Sequence, residues 1–273
     1  MRSENTCALS LILLGGLAFG GAPLAAQAPA PLPVTDNAVW QSQPFIALAN
    51  GNFRGTVTVD EAKRRGNLGI GALDYLNGEF LVLDGVLYQF PAAGGVQVPP
   101  GGARLAFAMM TWFKPGEPID LPRGTTLKDL SCFLDPKLPT LNAYYALRIE
   151  GRFSAVKSRT FPIQSEPFSP VCELKPPPPV FEFTVIDGTM VGYRPPSYAA
   201  DVSGPPYHLH FLTANRRGGG HVLEMAVESA TIRFDRVDGL ALDLPTGEPF
   251  EKMNLAAAAC PSAPPPVCPP AQP

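Results

Sequence analysis

The segment Tyr207-His-Leu-His-Phe-Leu-Thr213 is followed closely by the turn-rich run Asn215-Arg-Arg-Gly-Gly-Gly220 and then by His221. Its aromatic and β-branched residues predict an extended strand, in which residues two positions apart point to the same face. A hairpin centred near the start of the turn-rich run places residue 221 opposite residue 210, where facing Cβ atoms lie roughly 4.5–5.5 Å apart. We therefore expect His208, His210 and His221 on one face of a β-sheet.

These three residues are the only histidines of the 273-residue chain. Imidazole is a common zinc ligand, and three histidines with one coordination position left open are typical of a catalytic zinc site. A His-x-His pair alone is a weak signal, but three histidines on one face predict a metal site formed by His208, His210 and His221. We expect Zn²⁺, although all-nitrogen sites also suit copper, iron or nickel.

The first 28 residues have the pattern of a secretory signal peptide. Arg2 precedes the apolar run Ala8–Phe19, and Ala26-Gln-Ala28 offers small residues for cleavage. Because the apolar run is short for a membrane span, we expect a secreted or periplasmic protein with no membrane association after cleavage. An uncleaved membrane anchor is the alternative.

The cysteines fit export to an oxidising compartment. Loss of Cys7 with the signal leaves an even number, Cys132, Cys172, Cys260 and Cys268. We expect these four residues to form disulfides, and the sequence permits three pairings.

Charge and proline content limit the partners and suggest the domain organisation. A net charge of −3 gives no electrostatic footprint for nucleic acid. The clearest internal break is Pro176–Pro179, and the C-terminus is proline-rich. We expect five regions: a signal over 1–28, a flexible mature N-terminus over 29–50, a mixed-sheet domain over 51–175, a smaller β-rich metal-binding domain over 180–255, and a proline-rich tail over 256–273.

Strand signals dominate the body of the chain, so we expect a strand-rich α+β fold. Asp84-Gly85 marks a hairpin turn, and the two helical signals are Val59–Arg65 and Thr126–Leu134. The predicted strands are Phe53–Val59, Glu79–Leu83, Val86–Phe90, Arg104–Phe113, Ala143–Phe153, Phe181–Ile186, Met190–Tyr193, Tyr207–Thr213, Val222–Val227 and Ala230–Phe234.

Several ordered sequence blocks between Gly51 and Asp235 resemble α-acetolactate decarboxylases. The blocks are Leu68-Gly-Ile-Gly71, Leu76-Asn-Gly-Glu-Phe-Leu-Val-Leu-Asp-Gly85, Leu87-Tyr-Gln89, Tyr144-Tyr-Ala-Leu-Arg-Ile-Glu-Gly151, Val156-Lys-Ser-Arg-Thr160, Gly188-Thr-Met-Val-Gly192, Tyr207-His-Leu-His-Phe211 and Gly219-Gly-His-Val222. An ordered set of this kind is more specific than any single motif.

The resemblance implies a set of site residues. It places zinc on His208, His210 and His221, the residues that the hairpin argument selects independently. The family's catalytic glutamate corresponds to Glu79, and its substrate-binding arginine corresponds to Arg159. Without the resemblance, Glu79 would be interpreted as an ordinary charge at the end of a hairpin, and Arg159 as a solvent-facing strand residue. A homodimer is also implied.

The implied reaction is decarboxylation of 2-acetolactate, a 2-hydroxy-3-oxo acid, to acetoin and carbon dioxide. We expect zinc to stabilise the enediolate intermediate, so that no organic cofactor is required. Arg159 is suited to hold the carboxylate and Glu79 to move a proton.

The C-terminal region departs from the family pattern. The family contributes a further active-site glutamate there, whereas this chain runs Met253–Cys260 into the proline tail. Glu248 and Glu251 lie nearby, but the sequence assigns neither to that place.

Two rival readings use the same histidines. A cupin-like oxygenase or a zinc-hydroxide enzyme is one, although cupins usually add a glutamate shortly after His-x-His and Phe211–Asn215 contains no acidic residue. A secreted, non-catalytic binding protein that keeps the scaffold is the other.

Overall fold

The computed structural model describes residues 36–256 and residue 260. Within these residues the chain forms twelve β-strands and four short α-helices. The strands are β1 Ala38–Gln41, β2 Val57–Thr58, β3 Leu68–Leu73, β4 Glu79–Leu83, β5 Val86–Phe90, β6 Arg104–Thr111, β7 Ile119–Leu121, β8 Tyr144–Arg159, β9 Val180–Arg194, β10 His208–Thr213, β11 Gly219–Val237 and β12 Gly239–Leu242. The helices are α1 Phe45–Ala49, α2 Val59–Lys63, α3 Leu127–Leu134 and α4 Ala200–Ser203.

The first of two sheets is mixed. Its strand order is β12-β1-β6-β3-β4-β5, and β2 pairs with β6. β1 and β12 run parallel, with Ala38 opposite Gly239, whereas the other neighbours are antiparallel. This sheet therefore joins the N-terminal and C-terminal parts of the described chain.

The second sheet has the order β10-β9-β8-β11-β7, and β10 also pairs with β11. Strands β8 to β11 thus close on themselves, which leaves these four strands without a free edge. β8 and β11 remain paired over almost their full length, from Arg159 opposite His221 to Tyr144 opposite Val237. This long pairing carries Arg159 to the same end of the sheet as the histidines.

The two sheets pack against each other, and a helix covers the far side of each. The core between them includes Leu81 of β4 and Tyr193 of β9. Because strand side chains alternate between faces, Phe80 belongs instead to the core with α2, and Leu147 belongs to the core with α3. The strand-rich α+β class expected from the sequence is confirmed.

Local sequence signals explain several boundaries. Asp84 and Gly85 both have positive φ, at 51° and 78°, as a type I′ hairpin turn requires. Thr58 and Thr126 cap α2 and α3, each through a capping box with the acidic residue three positions later.

Several expected boundaries are wrong. Residues 36–50 belong to the segment expected to be flexible, but they form β1, which is fully buried, and α1. Only Val57–Thr58 of the predicted strand Phe53–Val59 is extended, because the Thr58 capping box starts α2 at Val59. β3 was not predicted, since its glycines interrupt the usual strand composition.

The expected boundary between residues 175 and 180 does not separate the sheets. β8 precedes that boundary and pairs with β9 and β11, which follow it, while β12 returns to the first sheet. Long-range pairing overrides the proline-rich break, and the described residues on both sides of it group as one unit.

The expected signal, residues 29–35 and most of the proline-rich tail lie outside the described residues. No helix of the part that the structure describes is long and apolar enough to cross a membrane. Cys260 forms a disulfide with Cys172, with Cα atoms 5.6 Å apart, and Cys132 is also disulfide-bonded. Of the disulfides expected from the sequence, the Cys172–Cys260 pair is thereby identified.

The Cys172–Cys260 disulfide yields a testable prediction. It closes a sequence separation of 88 residues, so replacing both cysteines with serine should lower the free energy of unfolding by about 2–4 kcal/mol. Denaturant unfolding checks the loss, and peptide mapping without reduction should recover the linked pair. Equal stability of the double variant, or alkylation of both thiols in exported protein, would contradict it.

Candidate metal centre and active site

Strand alternation brings the histidines together. His208 and His210 lie on one face of β10, while Leu209 and Phe211 between and after them enter the core with α3. His210 is paired with His221 of β11, which confirms the register expected from the sequence. The three rings therefore meet on the face of the second sheet that packs toward the first.

The distances between the rings fit a common metal ion. His221 Nδ1 lies 3.1 Å from His208 Nε2 and 3.4 Å from His210 Nε2. Nitrogen ligands at the usual zinc distance lie about 2.9–3.4 Å apart for bond angles near 90–110°. The donor atoms of all three residues fall within 4.8 Å of one another.

The environment keeps the imidazoles uncharged. Burial is the main cause that lowers the pKa of His208 to about 4, and the Arg159 guanidinium lowers it further. Burial likewise holds the pKa values of His210 and His221 well below the ordinary range. His210 Nδ1 lies 2.7 Å from the Phe80 carbonyl oxygen, to which it donates. That hydrogen bond leaves a lone pair on the His210 Nε2 atom that faces the other rings.

Glu79 stands beside the histidines. It begins β4 in the first sheet, and its Oε1 atom lies 3.9 Å from His221 Nδ1. The residue is 6% exposed, and its Oε2 atom has no hydrogen-bond partner among the described residues. Burial raises the pKa of Glu79 to about 7, against the opposing effects of Arg159 and of a backbone hydrogen bond from His221.

Arg159 is held by a ring and not by a carboxylate. Its guanidinium carbon lies 4.4 Å from the centroid of the Phe161 ring. Within the described chain, Arg159 forms no ion pair with an acidic side chain. Arg159 is opposite His221 in the β8–β11 pairing, which places it beside the histidines. The N–H donors of Arg159 are therefore available to an anionic ligand.

The structure does not bring a C-terminal glutamate to this cluster. The exposed Glu248 forms an ion pair with Lys252, and the exposed Glu251 accepts a hydrogen bond from the Gly247 N–H. The His208–His210–His221 cluster contains no carboxylate ligand among the described residues.

Sequence comparison gives the family. A family model described as alpha-acetolactate decarboxylase matches residues 39–257. The chain belongs to the alpha-acetolactate decarboxylase family. It is 37% identical to the alpha-acetolactate decarboxylase of Methanosarcina mazei over 80% of this chain and 75% of the relative. It is 31% identical to that of Klebsiella aerogenes over 81% of this chain and 85% of the relative.

Solved structures of the family have the same fold. The crystal structure of alpha-acetolactate decarboxylase from Bacillus subtilis superposes with a TM-score of 0.78 at 31% identity, covering 81% of this chain and 94% of the other. The resemblance stated from sequence blocks is thus confirmed, and the chain is a member of a family of carbon–carbon lyases.

The main-chain contacts of Gly220 give a prediction for the decarboxylase fold. Gly220 has φ +139°, and a Cβ atom there would lie 2.5 Å from the Arg159 carbonyl oxygen. Gly220→Ala should therefore push β11 from β8 beside His221, lowering the free energy of unfolding by about 2 kcal/mol or more and weakening metal binding. Thermal unfolding and metal titration measure both effects.

Gly102→Ala is the matched control, because a Cβ atom at Gly102 would meet nothing within 4 Å. It should change the free energy of unfolding by less than about 0.5 kcal/mol. Equal stability and equal metal affinity of the two alanine variants would refute the steric argument.

Proposed function

We propose that this chain converts 2-acetolactate to acetoin and carbon dioxide, using a zinc ion held by His208, His210 and His221. The observation that carries the proposal is the convergence of three uncharged imidazoles beside a buried carboxyl group and a guanidinium that has no acidic partner among the described residues. Family membership supplies the reaction class, and the geometry supplies a role for each of these side chains.

The donor set fits a divalent cation of borderline softness. Three imidazole nitrogen donors, with no thiolate or carboxylate ligand in the described part of the chain, suit zinc, although copper, iron and nickel also accept imidazole. When bound, zinc supplies a Lewis acid that polarises the substrate ketone and stabilises negative charge on its oxygen. The hydrogen bond from His210 to Phe80 orients the ring for this purpose before any ligand arrives.

Arg159 would bind the carboxylate of acetolactate. A guanidinium presents a planar set of donors that matches a carboxylate in two parallel hydrogen bonds. The Phe161 ring holds the guanidinium plane without consuming its donors. Arg159 would therefore fix the C1 carboxylate in the orientation from which carbon dioxide leaves.

Glu79 would hold and transfer the proton. Breaking the C1–C2 bond releases carbon dioxide and sends the bonding electron pair toward the C3 ketone oxygen, after which C2 must take a proton to give acetoin. A buried carboxyl group with a pKa of about 7 can hold that proton near neutral pH. A divalent cation on the histidines would lower this pKa, because positive charge favours the carboxylate. Burial also restricts the access of bulk water to C2.

Export to a secreted or periplasmic location is part of the proposal. The signal-like pattern of residues 1–28 and the Cys172–Cys260 disulfide both support it. The homodimer implied by the family likewise remains a proposal.

A metal and turnover assay tests the proposal directly. Purified mature protein loaded with zinc should retain one zinc per chain and convert racemic acetolactate to acetoin and carbon dioxide. His210→Ala removes one ligand and should abolish most of the metal affinity. Stoichiometric zinc in a triple variant that lacks His208, His210 and His221 would refute the metal site, and no acetoin from fully zinc-loaded protein would refute the reaction.

Variants of Glu79 and Arg159 should lose activity in different ways, one through kcat and the other mainly through KM. Glu79→Gln keeps the shape but loses the titrating group, so kcat should fall by roughly two to four orders of magnitude while substrate still binds. Arg159→Ala removes a contact made in the ground state, so KM should rise markedly, with a further fall in kcat. Steady-state kinetics on acetolactate separates the two effects.

Surface variants on the same strands provide controls. Arg152 of β8 pairs with Asp187, and Glu224 of β11 lies near Lys157, both on exposed surface. Arg152→Ala and Glu224→Gln should leave kcat and KM unchanged. Wild-type kcat in Glu79→Gln would remove the proton role, and unchanged KM in Arg159→Ala would remove the carboxylate role.

A further inference from the structure

The hydroxyl of Thr160 lies between two strands of the first sheet, although Thr160 itself follows a strand of the second sheet. It accepts a hydrogen bond from the Glu79 N–H at 3.0 Å and donates one to the Phe90 carbonyl oxygen at 2.6 Å. Glu79 and Phe90 are opposite each other in the β4–β5 pairing of the first sheet, whereas Thr160 directly follows β8 of the second. Thr160 is fully buried, so water cannot replace either hydrogen bond.

The residues on each side of Thr160 strengthen the same connection. Arg159 precedes it and faces the histidines, while the Phe161 carbonyl accepts a hydrogen bond from the Gly78 N–H at 3.0 Å. Consecutive residues of one segment thus contact consecutive residues of the other, Gly78 and Glu79. The main chain that carries the guanidinium is joined to the main chain that carries the carboxyl group.

Glu79 depends on this connection more than an ordinary strand residue would. Its Oε2 atom has no hydrogen-bond partner in residues 36–256, and its Oε1 atom is 3.9 Å from His221 Nδ1. Apart from the backbone hydrogen bond from His221, few polar contacts within residues 36–256 hold the carboxyl group, so its position also follows that of its own backbone. A displacement of about 1 Å at a reacting group can cost on the order of a hundredfold in rate.

We infer that Thr160 is a positioning residue, whose hydroxyl sets the carboxyl group of Glu79 in register with Arg159 and the three histidines. This inference rests on the proposed roles of Glu79 and Arg159. It assigns to Thr160 an effect on kcat that is transmitted through Glu79, and no contact with substrate.

The test compares variants that differ in the hydroxyl. Thr160→Ser keeps the group and should retain kcat within about threefold, whereas Thr160→Ala and the isosteric Thr160→Val should lower kcat about tenfold or more. KM for acetolactate and zinc content should stay near wild type in all three, because Arg159 and the histidines are unaltered. The Ser and Ala variants carry the test even where Val does not fold.

Thr111→Val is the matched control for a purely structural role. Thr111 is equally buried, and its hydroxyl donates to the Ala38 carbonyl oxygen at 3.0 Å, between β6 and β1. Its loss should lower the melting temperature about as much as Thr160→Val does, but it should leave kcat unchanged.

A double-variant cycle gives the decisive readout. If Thr160 acts through Glu79, adding Thr160→Ala to Glu79→Gln should lower kcat by less than about twofold, since the group being positioned no longer moves a proton. A full tenfold loss in that background, or wild-type kcat in Thr160→Ala, would overturn the inference. Wild-type kcat in Glu79→Gln alone would instead overturn the proposed role of Glu79, so the two failures are distinguishable.

Discussion

Three uncharged imidazoles whose ring nitrogens converge between two packed sheets form the constraint on which this structure depends. Burial lowers the pKa values of all three rings, and their facing nitrogens lie 3.1 and 3.4 Å apart. A shared cation, as proposed for this site, would satisfy all three lone pairs at once. The closed arrangement of strands β8 to β11 holds the imidazoles at these separations. β10 pairs with β9 and β11 pairs with β8, and these pairings fix the register between His210 and His221.

Burial has opposite effects on the pKa of the Glu79 carboxyl group and on the pKa values of the three imidazoles. Loss of water lowers the pKa of His208 to about 4 and raises that of Glu79 to about 7, so both groups favour their neutral forms. The Arg159 guanidinium lies over the face of the Phe161 ring. The site thereby combines neutral metal ligands, a carboxyl group near its titration point and one fixed positive charge. The decarboxylation proposed for this site would use each of these properties.

Local patterns in the sequence predicted the parts of the site that lie within one hairpin. The alternation of His208 and His210 and the turn before His221 were sufficient, since strand period and turn length are short-range properties. The β4–β5 hairpin followed from Asp84-Gly85 in the same way. The proximity of Glu79 to the histidines came only from family resemblance, because it depends on how two sheets pack.

Other long-range features had no local signal. β1 pairs with β12, which lies some two hundred residues later in the chain. Because the sequence near β1 contains no sign of this partner, it predicts a flexible N-terminus. The proline-rich break before β9 suggested a domain boundary, but the pairing of β8 with β9 spans it. In the sequence, Thr160 is one residue of a block that resembles the family, and nothing local indicates its role. That role follows only from the structure, in which the first sheet places Glu79 and Phe90 around its hydroxyl.

The C-terminal region limits how protons can be supplied in this chain. Glu248 and Glu251 are engaged with Lys252 and Gly247 at the surface, and the disulfide fixes Cys260 to Cys172. Among the described residues, Glu79 is the acidic side chain that the fold brings to the histidines. Burial raises the pKa of this carboxyl group to about 7 against the opposing effect of Arg159, and a cation on the histidines would lower it again, which favours the carboxylate. The hydrogen bond from the Glu79 N–H to Thr160 therefore contributes to the proposed chemistry by placing this carboxyl group.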